Sequence, residues 1–163
     1  METELKFCVG AMPPFSSKNV KQMLTPLELC KKARMMDGKL VLLGPYVLKY
    51  KSLITGSDQL GPLSDALVPG TVVQVSCVVP LSQRLEKGRA VLQKKPVPKR
   101  VGILKSDGSY EEPLKVEGLT VQSHLESGLV VYKPFLEMMV IGFKLMADEW
   151  KASLEWELEL EEV

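Results

Sequence analysis

The chain is poor in the residues from which most catalytic and metal sites are built. It holds one histidine, His124, so a site with several imidazoles is excluded by count. Its three cysteines, Cys8, Cys30 and Cys77, are far apart and form no CxxC pair. Zinc ligands come in close pairs, so buried apolar thiols are the expectation here. Neither GxGxxG nor GxxxxGK[ST] occurs, which removes the glycine loops that cradle phosphate. A nucleophile built from Cys77 or Cys8 with His124 would need the fold to join them and a third group to orient the base. The sequence supplies no such group locally, so no catalysis, no metal, no cofactor and no small-molecule substrate is expected. No apolar run approaches the roughly 18 residues of a membrane span. The start Met1-Glu2-Thr3-Glu4 is acidic, the opposite of a signal peptide's first region. These absences read as a reduced, intracellular, cytoplasmic protein that is not secreted, has no transmembrane segment and touches a membrane only from one side.

A dominant charge is also missing: 21 basic residues face 20 acidic ones, for a net charge of +1. The distribution is uneven, however. Arg84, Lys87, Arg89, Lys94, Lys95, Lys99, Arg100 and Lys105 share their stretch with Glu86 alone among acids up to Lys105. From Asp148 onward the acids are Asp148, Glu149, Glu155, Glu157, Glu159, Glu161 and Glu162, against Lys151 alone. The basic stretch carries Pro96 and Pro98, which argue against a central strand, so a mobile, exposed loop or hairpin over about 82–105 is expected. Those eight cations suit an anionic surface read by charge, whether a membrane or a ribonucleoprotein. No aromatic lies between Ser82 and Ser109, so base stacking on this segment is not supported. The bland alternative is a solvated loop without a partner. Two regions of opposite sign also favour head-to-tail self-association, with Glu155, Glu157, Glu159 and Glu161 as the acidic side. The commoner role of such a glutamate row is the solvent face of a half-buried strand.

That row fixes the end of the chain. Leu154, Trp156, Leu158 and Leu160 alternate with the four glutamates, and a period of two is that of a β-strand. Leu136–Met146, rich in Met, Val, Ile and Phe, reads as a deeper strand, and residues 147–151 as the turn of a terminal hairpin. Upstream, Leu5–Met12 and Thr71–Val79 read as strands. Thr25-Pro26-Leu27-Glu28 reads as a capping box opening a helix to about Met36, with Gly38 closing it. Lys39–Leu43 fits either a strand or the approach to a second helix. Tyr46, Val47, Tyr50, Leu53 and Ile54 fall on one helical face, and Leu63–Leu67 fits a helical turn. Asp107-Gly108 signals a hairpin after Val101–Lys105, and Leu119–Ser123 and Leu129–Tyr132 read as strands. The expected fold is α+β in a single domain over 1–163: helices in the first third, then a mainly antiparallel sheet ending in the hairpin.

This order of elements resembles the matrix proteins of rhabdoviruses and related negative-strand RNA viruses. The likeness runs through an early strand (Leu5–Met12), helices (Pro26–Ile54), a strand (Thr71–Val79), the cationic stretch and a final sheet (Phe135–Leu160). The resemblance implies a viral, non-enzymatic structural protein of the virion that self-associates between nucleocapsid and membrane. No motif of that family matches residue by residue: the start is acidic where a basic arm is usual, and Pro13-Pro14-Phe15 is not a PPxY budding motif. The reading from a second class is a small nucleic-acid-binding regulatory or accessory protein.

Overall fold

The structure is a computed structural model that describes residues 6–7, 18–44, 47–62 and 64–163. No helix occurs among the described residues, and strands make up about 60% of them. The α+β expectation is thereby corrected to an antiparallel β fold. The strands are β1 (Lys6–Phe7), β2 (Lys21–Pro26), β3 (Lys31–Arg34), β4 (Leu40–Leu43), β5 (Tyr50–Asp58), β6 (Val72–Ser76) and β7 (Leu81–Glu86). They continue with β8 (Arg89–Val91), β9 (Pro96–Leu104), β10 (Tyr110–Glu111), β11 (Lys115–Glu117), β12 (Thr120–Gln122), β13 (Ser127–Asp148) and β14 (Ser153–Glu162).

The fold is organised on β13, which at 22 residues is far longer than the roughly 3–10 of an ordinary strand. Its first part, Ser127 to Tyr132, pairs with β7 on one side and β9 on the other. Its later part pairs with β6 and then with β14. Two antiparallel sheets therefore share one strand, in the orders β10-β9-β13-β7-β8-β12-β11 and β1-β6-β13-β14-β5-β2. The register slips between Tyr132 and Pro134 where the strand passes from one sheet to the other, and Pro134 lies opposite Pro96 there. Proline cannot donate to a ladder, so an irregular crossing is where two of them fit.

Both sheets are rolled. In the first order the edge strands β10 and β11 are joined by Glu112-Pro113-Leu114 alone. Four chain steps reach at most about 14 Å, whereas seven flat strands would hold those edges about 29 Å apart. Inside the roll lie Leu85, Ala90, Leu92, Ile103, Val121, Val130 and Tyr132. The second sheet is drawn round by Gln22 on β2. Its carboxamide oxygen accepts from the amides of Val78 (2.7 Å) and Val79 (3.4 Å), just past β6, and its nitrogen donates to Ser52 Oγ at 3.0 Å. Around Ser52 the core holds Ile54, Val73, Val75, Leu136, Met138, Val140, Trp156, Leu158 and Leu160.

The terminal hairpin stands as its alternation required, with Trp156, Leu158 and Leu160 buried. The first-third helices are strands instead. Thr25 and Pro26 end β2, an edge strand whose ladder partner is β5, and proline is tolerated there. Tyr50, Ser52, Ile54 and Gly56 point inward on β5; a serine and a glycine at inward positions disguised a period of two as a helical face. Gly38 is not a helix terminus but the turn of the β3–β4 hairpin: its φ is 83°, its amide donates to Met35 O, and Asp37 Oδ1 accepts from the Lys39 amide at 2.9 Å. Lys39–Leu43 is accordingly the strand of its two alternatives. Most of Leu5–Met12, together with Tyr46 and Leu63, lies outside the described residues. The order of elements behind the matrix-protein resemblance loses its helical block between Pro26 and Ile54.

Candidate interaction surfaces

The basic stretch is not a loop. It is folded into β7, β8 and β9, which carry Arg84, Arg89, Lys99 and Arg100, while Lys87, Lys94, Lys95 and Lys105 lie in the turns and connections at their ends. Pro96 and Pro98 are accommodated because Pro96 sits at the crossing and Lys99 adopts φ 61°, a kink in β9. Arg84, Lys87, Arg89, Lys95, Lys99 and Arg100 are exposed. The Lys95 ammonium stands 5.9 Å from the centre of the Phe135 ring.

The other two cations serve the fold. Lys94 pairs with Glu162, their side chains only 15% and 12% exposed, and the second oxygen of Glu162 accepts from the Tyr50 amide at 3.0 Å. Basic stretch and acidic terminus thus meet inside one molecule, where they pin the last strand to the connection between β8 and β9. Lys105 pairs with Glu111 across the β9–β10 hairpin at 2.6 Å, and that hydrogen bond holds its ammonium above the usual lysine range.

The fold also brings in a group that the linear segment lacks. Tyr110, 67% exposed, lies opposite Leu104, Leu104 opposite Leu129, and Leu129 opposite Arg84. Their strand neighbours Ile103, Val130 and Leu85 are buried, so this row runs along the outside of the roll. A Cβ at Gly102 would meet the Tyr110 ring at 3.3 Å, so the ring lies along the sheet. The signal available in the sequence was the Asp107-Gly108 turn, which folds Tyr110 back beside β9. An open groove of about 680 Å³ runs between Lys95–Val101 and the 112–118 segment.

The glutamate row occupies the wet face of the second sheet. Glu157 pairs with Lys144 at 2.8 Å and Glu159 with Lys51, and these contacts hold both ammonium groups above their ordinary range. Two neighbouring strands therefore neutralise the middle of the row. At its ends Glu155 is exposed and Glu161 half-buried.

Cys77 is buried in the core of the second sheet, and burial pushes its thiol up to about 11, with Gln22 pulling weakly the other way. His124 sits in the connection between β12 and β13 and is exposed. A nucleophilic thiol needs the reverse of the Cys77 setting, a lowered pKa beside a base. Cys30 is half-buried, and Cys8 lies outside the described residues. No group of three or more His, Cys, Asp or Glu placed to hold a metal occurs among the described residues. Among them, too, no helix is long and apolar enough to cross a membrane. No family model, curated protein or solved structure matches the chain.

Proposed function

We propose that this chain is a non-enzymatic interaction protein that self-associates and binds an anionic surface by charge. The observation that carries the reading is the display of six exposed cations, Arg84, Lys87, Arg89, Lys95, Lys99 and Arg100, on a rolled sheet. A rigid frame loses little conformational entropy when its side chains meet phosphate, so charge there is more effective than charge on a mobile loop. Cys77, buried and with its thiol pushed up to about 11, is not poised as a nucleophile. The reading draws on surface chemistry and does not require the matrix-protein resemblance.

One observation favours a nucleic-acid partner over a lipid one. Tyr110 and Arg84 end a single cross-strand row, three strand spacings or roughly 14 Å apart, and an aromatic on the same outer sheet face as a cation can stack a base whose neighbouring phosphate the cation meets. The test is to replace Arg84, Lys95, Lys99 and Arg100 together by Gln, leaving Lys94 in its pair. Affinity for single-stranded RNA and for phosphatidylserine vesicles is then measured beside wild type. The reading predicts a clear loss toward at least one of them with an unchanged melt. Equal binding by the variant, or none by wild type at low salt, refutes it. Tyr110→Ala separates the two anions, since it weakens RNA binding and leaves vesicle binding alone.

A further inference from the structure

Self-association, as proposed for this chain, leaves open which surfaces meet, and a specific contact between copies stands only if the chain does self-associate. The β3–β4 hairpin stands apart from both rolled sheets, with no third strand beside it among the described residues. A lone two-stranded ribbon is marginal in water, and this one leaves Met36, Leu40 and Leu42 exposed. On its open face Lys32 lies opposite Leu42 and Arg34 opposite Leu40. One strand of the ribbon is therefore cationic and the other apolar.

The wet face of the second sheet is complementary at its Glu155 end, while opposite Glu157 stands Lys144. Glu155 and Glu157 stand two residues apart on β14, with Met146 opposite Glu155 on β13, 55% exposed. A groove of about 560 Å³ opens there, lined by Lys21, Thr55, Ser57, Met146, Glu155 and Glu157. Two residues on a strand span about 6.6–6.8 Å, so the Lys32–Arg34 and Glu155–Glu157 spacings are equal. Lys32 already touches Glu28 at 2.6 Å and Glu157 touches Lys144, but these are solvent-exposed pairs that change partners at little cost.

The geometry points to a contact between two copies of this chain: the hairpin of one lies in the glutamate groove of the other. Lys32 sits over Glu155 with Leu42 against Met146, and Arg34 sits over Glu157 in place of Lys144. The two halves are different surfaces, so the contact is head-to-tail and builds rings or open chains. Charge complementarity favours a second copy, because another copy of this chain presents Glu155 and Glu157 at the strand spacing of Lys32 and Arg34 with Met146 beside them.

The experiment is sedimentation velocity on the full chain with two charge reversals. One variant carries Lys32→Glu with Arg34→Glu, the other Glu155→Lys with Glu157→Lys. Each alone weakens association by about tenfold, the scale of two exposed pairs turned repulsive. An equimolar mixture of the two regains wild-type association, since each variant supplies the surface that complements the other. Leu42→Ser, far from both cores, also weakens association and covers the case in which a reversal does not fold. If wild type associates and the reversals associate equally well, or the mixture is not restored, this contact is wrong while self-association stands. If wild type is monomeric at every concentration, both fall. If the hairpin reversal keeps association and loses binding to phosphatidylserine vesicles instead, the hairpin is a membrane element and the contact is overturned.

Discussion

Trp156 and Gly56 lie directly opposite one another on β14 and β5, and they give the sharpest test of the core. The indole is 1% exposed, and a Cβ built on Gly56 would come within 2.5 Å of its ring. The ring therefore occupies the space a side chain would take. A buried tryptophan removes about 200 Å² from water, worth roughly 5 kcal/mol at 25 cal/mol per Å². Part of this survives in alanine and a cavity adds to the loss, so Trp156→Ala should cost about 3–5 kcal/mol. For a chain of this size that lowers the melting temperature by roughly 6–20 °C. Gly56→Ala has no backbone penalty, since Gly56 has no positive φ, but it drives the ring aside and should cost about 1–3 kcal/mol. The two costs should not add. Once the ring is gone the new methyl has room, so Gly56→Ala in the Trp156→Ala background should be near neutral. The coupling energy, about 1–3 kcal/mol, is read from urea unfolding of the four proteins. Additivity within about 0.5 kcal/mol, or a Trp156→Ala melt within about 2 °C of wild type, refutes this packing of ring against glycine.

The buried polar groups give two more expected outcomes. Lys94→Met should cost about 2–4 kcal/mol in urea unfolding by stranding the Glu162 charge, and Lys94→Met with Glu162→Gln, which removes the charge and keeps an acceptor for the Tyr50 amide, should recover most of it. In the folded protein Cys77 should resist thiol reagents at pH 8 while Cys30 reacts. Because burial raises the Cys77 thiol from 9.0 to about 11, its contribution to stability is complete below about pH 9 and lost between there and about 11. Comparing pH-dependent unfolding with Cys77→Ala, which lacks that loss, checks the sign.

The sequence was most legible where side chains declared their face. Leu154 to Glu161 alternates large apolar with charged residues, and β14 lies where that pattern put it. Asp107-Gly108 announced the β9–β10 turn. Asp37-Gly38 makes the same turn with the same Asx contact, yet it followed Thr25-Pro26-Leu27-Glu28, and a plausible helix start made its glycine look like a helix end. On β5 the inward positions Ser52 and Gly56 are small, and at Gly56 the space is filled from across the ladder by Trp156, a long-range fact no local pattern contains. The basic stretch was visible as charge but not as structure. Proline reads as a loop until the long shared strand supplies an irregular crossing for Pro96 and Pro134. Which cations face solvent depended on Glu162, 68 residues from Lys94.

The salt dependence of RNA binding by the wild-type chain tests most directly whether the folded basic face binds by charge. If about five of the six exposed cations meet phosphates, the affinity falls with salt at a log–log slope of roughly −3 to −4, at about −0.7 per phosphate on a single strand. Replacing Arg84, Lys95, Lys99 and Arg100 by Gln should flatten the slope by about 3. Should neither RNA nor phosphatidylserine vesicles bind at low salt, or should the slope be near zero in both proteins, the basic face is a solvated surface and the proposed function is wrong.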